Sequence, residues 1–352
     1  MKRAFLLAVA AAAALLAFAI AWPMDPDPVR WTPPTGPPRS GRAAELPPGV
    51  ERIDVGGAGP EDVAFGPDGA VYAGLEDGRI VRLRPGAAAE TFAVTGGRPL
   101  GLRFAPDGRL MVADAARGLL AVDAAGAVTP LSHSHQGRPY RLTDDLDVAR
   151  DGTVFFTDAS DEHAVGDSVR AIVVHRDRGR LLAWRPGGTT RLVKDGLAFA
   201  NGVALAPDEG FVLVAETASY RILRCWLAGP RHGTCDVFAD GLPGFPDGVT
   251  RGAGGRFWVA LFAPRNRLLD RLHPHPALKR VLLRLPAWLR PSARRHGRVL
   301  GLDGNGRVVH DFEDDSGQAF AFVTNAVEHQ GGLYLGTLHG RAVVRIPLPN
   351  QP

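Results

Sequence analysis

The sequence of 352 residues is poor in cysteine and in lysine, and each shortage excludes a class of protein. Two cysteines are too few for a disulfide-framed fold or a four-cysteine zinc site. Lysine occurs only at positions 2, 194 and 279, and the many arginines do not alternate with aromatic residues as on nucleic-acid-binding surfaces. The net charge of +4 is also small for so long a chain. We therefore expect no nucleic-acid partner.

The sequence also lacks the short motifs of three common enzyme classes. It contains no GxxxxGK[ST] phosphate loop, no HExxH zinc-protease motif and no GxSxG nucleophile elbow. Glycine, with 43 residues, and proline, with 29, are abundant instead. Such a composition favours a fold with many tight turns over a helical one.

The N-terminus carries a long apolar run. Residues 4–22 contain no charge and follow Lys2 and Arg3. The run is close to the length of a bilayer crossing, and basic residues before it predict export of the remainder. Residues 1–24 are interpreted as a signal anchor or signal peptide, with the uncleaved anchor favoured although AFA at 17–19 would suit cleavage. The protein would then be held in a membrane, facing the periplasm or cell exterior, or be secreted after cleavage.

A proline-rich stretch separates this segment from the rest of the chain. Residues 25–49 include DPDPVRWTPPTGPPRSGR and predict an extended, weakly structured spacer. The globular domain is expected over residues 50–350.

That domain contains six copies of one short unit. Each copy has an alternating apolar run, a tight polar turn and a second apolar run, which is the pattern of a β-hairpin. The copies are VAFGPDGAVYAG from Val63, LRFAPDGRLMVAD from Leu102, LDVARDGTVFFTD from Leu146, VALAPDEGFVLVAE from Val203, VTRGAGGRFWVAL from Val249 and AVEHQGGLYLGTL from Ala326. A second hairpin fits between most successive copies, which makes about four strands per unit. The repeat therefore predicts an all-β fold, a six-bladed β-propeller.

One interval between repeats is too long for a blade. The excess, residues 265–297 in the fifth-to-sixth blade region, has helical leucine spacing mixed with many arginines. Three interpretations are open: a helical pair on the propeller flank, a lid over a pocket, or contact with an anionic membrane.

The two cysteines flank a turn-like stretch, LAGPRHG. If their segments pair as a hairpin, Cys225 and Cys235 fall nearly opposite each other, so a cross-strand disulfide is possible in an oxidising compartment. Two small buried residues without a bond is the favoured interpretation.

Three stretches resemble a known superfamily. DGLAFANGVALAPDEGFVLVAETASYRILRCWLAGP from Asp195, GLPGFPDGVTRGAGGRFWVALFAPRN from Gly241 and EHQGGLYLGTLHG from Glu328 are similar to strictosidine synthase-like and adipocyte plasma membrane-associated proteins. The resemblance to gluconolactonase, the paraoxonases and squid-type diisopropyl fluorophosphatase is more distant. It implies a six-bladed propeller with a calcium ion in the central channel.

The resemblance also implies which residues bind calcium, an ion that prefers six to eight oxygen ligands. The glutamate of the hydrolytic members matches Glu61, and their asparagine and aspartate match Asn201 and Asp247. A further family asparagine falls at Asp144, where a carboxylate keeps an oxygen ligand but adds charge. By the same resemblance Asp247 would be the general base or nucleophile, with Asp145 as the second candidate.

At two positions the sequence departs from the family patterns, and each departure excludes one mechanism. Thr324 stands where strictosidine synthases have their catalytic glutamate, so strictosidine synthase activity is not expected. Leu100 stands where the paraoxonases have a histidine, so a histidine-based lactonase mechanism is not supported. Of the loop histidines, His133 and His135 precede the Asp144 segment and are predicted to line the pocket.

Three functions remain open at this point. The favoured one is a calcium-dependent hydrolase whose partner is a small-molecule lactone or carboxylic or aryl ester. The others are a non-catalytic propeller that binds a small molecule or a protein and uses calcium for stability, and a different reaction in the same pocket, such as that of a lyase or isomerase. The oligomeric state cannot be read from the sequence.

Overall fold

The structure is a computed structural model that describes residues 2–35 and 46–348. It contains six four-stranded antiparallel sheets arranged as a β-propeller, as the repeat predicts. The middle of the predicted spacer, residues 36–45, and the end of the predicted domain, 349–350, lie outside the described residues.

The blades follow one another along the chain, each starting with its innermost strand. Blades 1 to 3 are formed by β2 (Val63–Phe65), β3 (Val71–Gly74), β4 (Arg79–Leu83) and β5 (Glu90–Val94); β6 (Pro99–Phe104), β7 (Leu110–Asp114), β8 (Gly118–Val122) and β9 (Val128–Ser132); and β12 (Thr143–Val148), β13 (Val154–Asp158), β14 (Gly179–Trp184) and β15 (Thr190–Leu197). A small hairpin, β10 (Ser134–His135) and β11 (Arg138–Pro139), lies between blades 2 and 3.

The last three blades include the closure of the ring. They are formed by β16 (Ala200–Leu205), β17 (Phe211–Glu216), β18 (Arg221–Trp226) and β19 (Cys235–Ala239); β20 (Gly244–Arg251), β21 (Phe257–Pro264), β22 (Gly297–Leu302) and β23 (Val308–Asp314); and β24 (Val323–His329), β25 (Gly332–Thr337), β26 (Ala342–Pro347) and β1 (Glu51–Asp54). Because β1 pairs with β26, the two ends of the domain share blade 6, and separating them would open the ring.

The predicted polar turns join the first two strands of the blades. In blades 1 to 3 the turn glycine has a positive φ of 74° to 84°, a region that side chains with a Cβ rarely enter. The preceding aspartate accepts a backbone N–H two residues on, as Asp151 does from Thr153 at 2.8 Å. Because these hydrogen bonds are local, the positions of the hairpins can be predicted from the sequence alone.

Apolar side chains fill each interface between neighbouring blades. The alternation along the strands turns one set of residues toward the next blade, and six separate clusters result, one per interface. Trp258 and Phe156 are among the largest fully buried side chains. Each such side chain contributes about 1.5–3 kcal/mol through removal from water, so the core stability is distributed around the ring.

Helices occur at the N-terminus and on one end of the propeller. They are α1 (Lys2–Ala21), α2 (Ser168–Val174), α3 (Arg267–Leu272) and α4 (Pro276–Arg284), with short 3-10 turns at Val165–Asp167, Thr217–Ser219, Ala253–Gly255 and Ala287–Leu289. Helices α3 and α4 fall within blade 5, between β21 and β22. No helix in residues 2–35 and 46–348 is both long enough and apolar enough to cross a membrane.

The segment after α1 is packed rather than free. Residues 25–35 contain no helix or strand. The Val29 amide donates to Val174 O at 3.0 Å and the Trp31 amide donates to His273 O at 3.1 Å. The Trp31 indole stacks on the His175 ring with centroids 4.2 Å apart. This part of the chain is therefore a strap across the helices.

Cys225 and Cys235 form a disulfide between β18 and β19, where they are register partners with Cα atoms 4.1 Å apart. The favoured interpretation, two buried cysteines without a bond, is wrong because the hairpin brings the thiols directly opposite each other.

Replacing both cysteines with alanine is expected to lower the free energy of unfolding by about 2–3 kcal/mol. The cross-link spans a sequence separation of 10, and in the chain-entropy model a loop of that size gives a gain of this order. Urea unfolding of the variant and the oxidised wild type measures the difference. Equal midpoints and slopes would mean that β18–β19 pairing already restricts the loop.

Candidate metal centre

Six innermost strands begin around one central channel, and each brings side chains to the same level. The register of the strands aligns six positions from the six blades: Glu61, Leu100, Asp144, Asn201, Asp247 and Thr324. All six line a single pocket together with residues of the next level, among them Asp62, Asp145 and Asn325. We call this end of the propeller the channel-mouth end.

Three of the predicted metal ligands meet in that pocket. Carboxylate oxygens of Glu61, Asp144 and Asp247 lie within 4.8 Å of one another, and all three residues are buried. Asn201, the fourth predicted ligand, lines the same pocket, and its side chain opposes the rise that burial causes in the pKa of Asp247. The four residues are far apart in sequence, and the ring of blades alone brings them together.

The carboxylates are poorly compensated without a cation. Burial raises the pKa of Glu61 to about 7, against the attraction of Arg98. Burial also raises the pKa values of Asp144 and Asp247 well above the usual range, and the neighbouring Glu61 charge adds to both shifts. Three crowded carboxylates in a buried site cannot all be ionised unless a positive charge lies among them.

This arrangement fits a calcium ion. Three carboxylates and an amide supply hard oxygen ligands, and water can complete the six to eight that calcium prefers. The pocket offers no cysteine or histidine of the kind that zinc or copper sites use. The oxygen ligands and the uncompensated negative charge of the site therefore suit a hard divalent cation.

Arg98, which the sequence did not single out, contacts the site from outside. Its Nη2 donates to Glu61 Oε2 at 3.3 Å, and both side chains are nearly buried. Its Nη1 is buried without a hydrogen-bond acceptor in the described residues. The guanidinium fixes one oxygen of Glu61 and leaves the other free to face the pocket.

A second level of polar residues ties neighbouring blades together directly below the ligands. Asp145 accepts the backbone N–H of its neighbour Leu146 and that of Val203 in blade 4, each at 2.8 Å. Asp62 does the same between blades 1 and 2, accepting from Leu102 at 2.8 Å. Both oxygens of Asp145 are thus engaged, and burial raises its pKa to about 8.

Asn325 completes this level in blade 6. Its Nδ2 donates to Asp62 Oδ1 at 2.6 Å, which links blades 6 and 1. The second residue of each channel pair, as in GPEDVAF and TDDLDV, was a usable sequence signal for this level, because it recurs directly before the first apolar residue of the strand.

Glycine at other positions of this level allows close approach of the backbones. A Cβ on Gly202 would lie 2.3 Å from Val249 N and 2.5 Å from Asp247 O, so any larger residue there would push blades 4 and 5 apart. The glycine of the ANG sequence therefore holds Asn201 against the Asp247 segment.

The structure does not bring His133 and His135 to the pocket. They lie at the β10–β11 hairpin beside β15, the outermost strand of blade 3, and His133 is exposed. Loop residues next to a channel segment in sequence are carried outward here, because the chain enters this loop from the outermost strand β9. The prediction that these two histidines line the pocket is therefore wrong.

Thr324 and Leu100 lie in the pocket wall, where the family resemblance aligns catalytic residues of other members. The Thr324 hydroxyl donates to the backbone oxygen of Glu61 at 2.7 Å, and Leu100 packs in an apolar cluster with Phe199 and Leu142. Neither side chain can transfer a proton to or from a substrate at neutral pH.

Comparisons with known proteins agree with this fold. The profile of the SMP-30/Gluconolactonase/LRE-like region matches residues 75–286, and that of the strictosidine synthase-like N-terminal region matches residues 48–83. Protein STRICTOSIDINE SYNTHASE-LIKE 10 of Arabidopsis thaliana is 35% identical over 333 residues, which cover 86% of this chain and 89% of that protein. Adipocyte plasma membrane-associated protein of Salmo salar is 36% identical over 316 residues, 82% of this chain and 76% of that one.

Among solved structures, regucalcin from Agrobacterium tumefaciens, a calcium-binding protein, superposes with a TM-score of 0.59 at 15% identity. The match covers 85% of this chain and 97% of that one, and at this identity it shows the shared fold. The SMP-30/gluconolactonase profile spans more than half of the sequence, so this six-bladed propeller belongs to the SMP-30/gluconolactonase/LRE-like family, with strictosidine synthase-like proteins among its relatives.

Proposed function

We propose that the protein is a calcium-dependent hydrolase of lactones or of carboxylic or aryl esters. The observation that carries the proposal is the buried set of Glu61, Asp144 and Asp247, with oxygens within 4.8 Å of one another and Asn201 beside them. The family description includes gluconolactonase, and the structural neighbour regucalcin is described as calcium-binding.

The four residues Glu61, Asp144, Asn201 and Asp247 would hold the ion. Calcium bound there supplies a Lewis acid for polarising an ester or lactone carbonyl. Arg98 keeps Glu61 oriented toward the pocket, and the blade-bridging bonds of Asp62 and Asp145 keep the strand starts rigid.

Asp247 is the better placed of the two predicted general bases. Asp247 lines the pocket beside Asn201, so its carboxylate can take a proton from a water molecule beside the substrate. Asp145 lines the pocket too, but both of its oxygens accept backbone N–H bonds, which favours a positioning role.

One observation favours a second function, a binding propeller with structural calcium. The three carboxylates come from blades 1, 3 and 5, so an ion among them would tie alternate blades across the channel. A protein of this kind would need the metal for stability without turning over a substrate.

Hydrolysis of phenyl acetate and a panel of γ- and δ-lactones by the full chain tests the proposal. We expect turnover with calcium, loss of turnover with a chelator and recovery when calcium is restored. The full chain is used because residues 25–35 pack on the propeller. No turnover, together with a melting temperature that falls on chelation, would exclude the hydrolase and leave the binding propeller.

We propose further that the protein is attached to a membrane through residues 4–22, with the propeller on the periplasmic or outer side. The similarity to adipocyte plasma membrane-associated proteins and the basic residues before this apolar run support the proposal. Fractionation of cells expressing the full chain, followed by protease treatment of intact spheroplasts, would test both location and side.

A further inference from the structure

The helical insertion leaves the propeller at the channel-mouth end. Gly244 at the start of β20 pairs with Pro264 at the end of β21, and Asp247 lies three residues into that same innermost strand. Residues 265–297, which we call the basic insertion, therefore start beside the metal ligands. Helix α2 follows β13 at the same end of blade 3 and packs against α4.

Helix α1 is fixed to this end of the propeller. Arg280 Nη1 donates to Ile20 O at 3.0 Å, and Arg284 donates to Ala19 O and Trp22 O at 2.6 and 2.7 Å. These carbonyls at the end of α1 lack partners within their own helix, so two arginines of α4 cap it. Arg280 also forms a bidentate ion pair with Asp27 of the strap.

The same end exposes large apolar side chains. Trp288 is 80% exposed and Val169 on α2 is 68% exposed, and Leu268, Leu278 and Leu289 of the basic insertion are also exposed. Tryptophan and leucine next to arginine are typical of segments that lie in the interfacial layer of a bilayer. Exposed apolar groups clustered at one end of a soluble domain indicate a surface that contacts something else.

Charge is divided unevenly between this surface and the rest of the molecule. The basic insertion contains nine basic residues and one acidic residue, a net charge of +8. The remaining 32 basic and 36 acidic residues give the rest of the chain a net charge of −4. Arg267 and Arg271 are exposed on α3 and have no ion-pair partner in the described residues. An anionic surface would therefore attract the basic insertion more strongly than the rest of the molecule.

We propose that the surface formed by α2 and the basic insertion lies on an anionic lipid bilayer, with the channel mouth on the lipid side. This inference goes beyond the membrane attachment proposed above, because it specifies which face of the propeller meets the bilayer and that the lipids are anionic. It rests on that attachment only through α1. An α1 helix capped by Arg280 and Arg284 holds the propeller in one orientation instead of tethering it loosely.

Site-directed spin labelling of the full chain on vesicles tests the orientation. Both native cysteines are in the disulfide, so a new thiol can be labelled alone. Trp288→Cys places a label on the proposed surface, and Asn305→Cys places the control in the β22–β23 turn at the opposite end. On phosphatidylcholine vesicles containing phosphatidylglycerol, we expect the label at 288 to be more accessible to oxygen than to a water-soluble nickel chelate, and the label at 305 to show the reverse.

The outcomes separate this inference from the proposed attachment. If the chain binds vesicles but the label at 288 stays in water, the orientation is wrong while attachment through residues 4–22 survives. If the chain binds no vesicles, both are wrong. Neither result depends on turnover, so the hydrolase proposal is tested separately.

A charge reversal tests the role of the anionic lipid. Arg267→Glu with Arg271→Glu is expected to weaken binding to the phosphatidylglycerol vesicles at least ~10-fold, because each basic residue near such a surface contributes a several-fold gain in affinity. The control reverses Arg84 and Arg307, exposed residues at the opposite end, and should leave binding unchanged or only slightly weaker. Equal effects of the two double variants would overturn the proposal.

Discussion

Replacing Asp247 with alanine is expected to lower calcium affinity by at least ~100-fold, a larger loss than is usual for residues that only support a metal ligand. The variant loses one of three carboxylates that face a common point. Asn201→Ala removes a neutral amide ligand from the same pocket and should give a smaller loss in the same direction. Calorimetric titration with calcium measures the affinity, and ester hydrolysis should fall in both variants together.

Melting temperatures measured with and without calcium separate loss of a metal ligand from loss of the fold. Asp247→Asn keeps the shape of the side chain and removes a charge that repels Glu61 and Asp144. In chelator its melting temperature should equal or exceed that of the wild type, whereas in calcium it should be lower. Glu76→Gln, an exposed carboxylate at the channel-mouth end, is the matched control and should change neither value. Undiminished calcium binding and activity in Asp247→Ala and Asn201→Ala would remove the channel-metal mechanism.

Replacing His273 with glutamine is expected to flatten the dependence of stability on pH below 6.5. His273 and His175 are almost fully buried under Trp31, and their rings are 5.1 Å apart. Burial, with a smaller contribution from the nearby Lys279 charge, lowers the pKa of His175 to about 2 and that of His273 to about 3. Lys279 is itself buried, and burial lowers its pKa to about 8.

The direction in which stability changes with pH depends on whether the folded or the unfolded state binds the proton more strongly. The unfolded chain takes up a proton on each histidine near pH 6.5, and the folded protein does so only near pH 3 or below. The contribution of each histidine to stability is therefore complete above pH 6.5 and is lost as the pH falls from 6.5 toward the folded pKa, by about 1.4 kcal/mol per pH unit. The buried carboxylates Asp144 and Asp247 act in the opposite direction, because their pKa values are raised in the folded state.

The histidines and the carboxylates affect stability over the same pH range. The contribution of His273 is therefore obtained by comparing the wild type with variants. From pH 6.5 to pH 5 the wild type should lose about 2 kcal/mol more than His273→Gln, measured by urea unfolding in the presence of calcium. His232→Gln, an exposed histidine in a turn, is the control and should follow the wild type. Parallel curves for wild type and His273→Gln would mean that the folded state accommodates the charged ring.

The outcome matters for the strap as well as for stability. Both histidines contact Trp31, whose backbone N–H donates to His273 O. A charge on either ring beside Lys279 would have to be hydrated, and the strap covers the way to solvent. The first region to loosen in acid should therefore be residues 25–35, which amide hydrogen exchange would report at Val29 and Trp31.

The sequence by itself determined the features that depend on local interactions. In four of the six polar turns an aspartate accepts a backbone N–H two residues on, and in blades 1 to 3 the turn glycine has a positive φ. Period-two alternation decides which side of each strand is buried, so blade number and hairpin positions were predictable. That Glu61, Asp144, Asn201 and Asp247 would meet in one pocket was predictable through the family resemblance, because each stands at the start of an innermost strand.

Tertiary structure alone decided what those residues meet. The loop with His133 and His135 starts from an outermost strand, so closeness to Asp144 in sequence does not place it at the channel. Register opposes Cys225 to Cys235, and blade packing sets Arg98 on Glu61 and uses both oxygens of Asp145. The disulfide depends on the register of two strands within blade 4. The contacts of Arg98 and Asp145 join residues 37 and 58 positions apart, and no local rule of turn or alternation specifies how one blade faces the next.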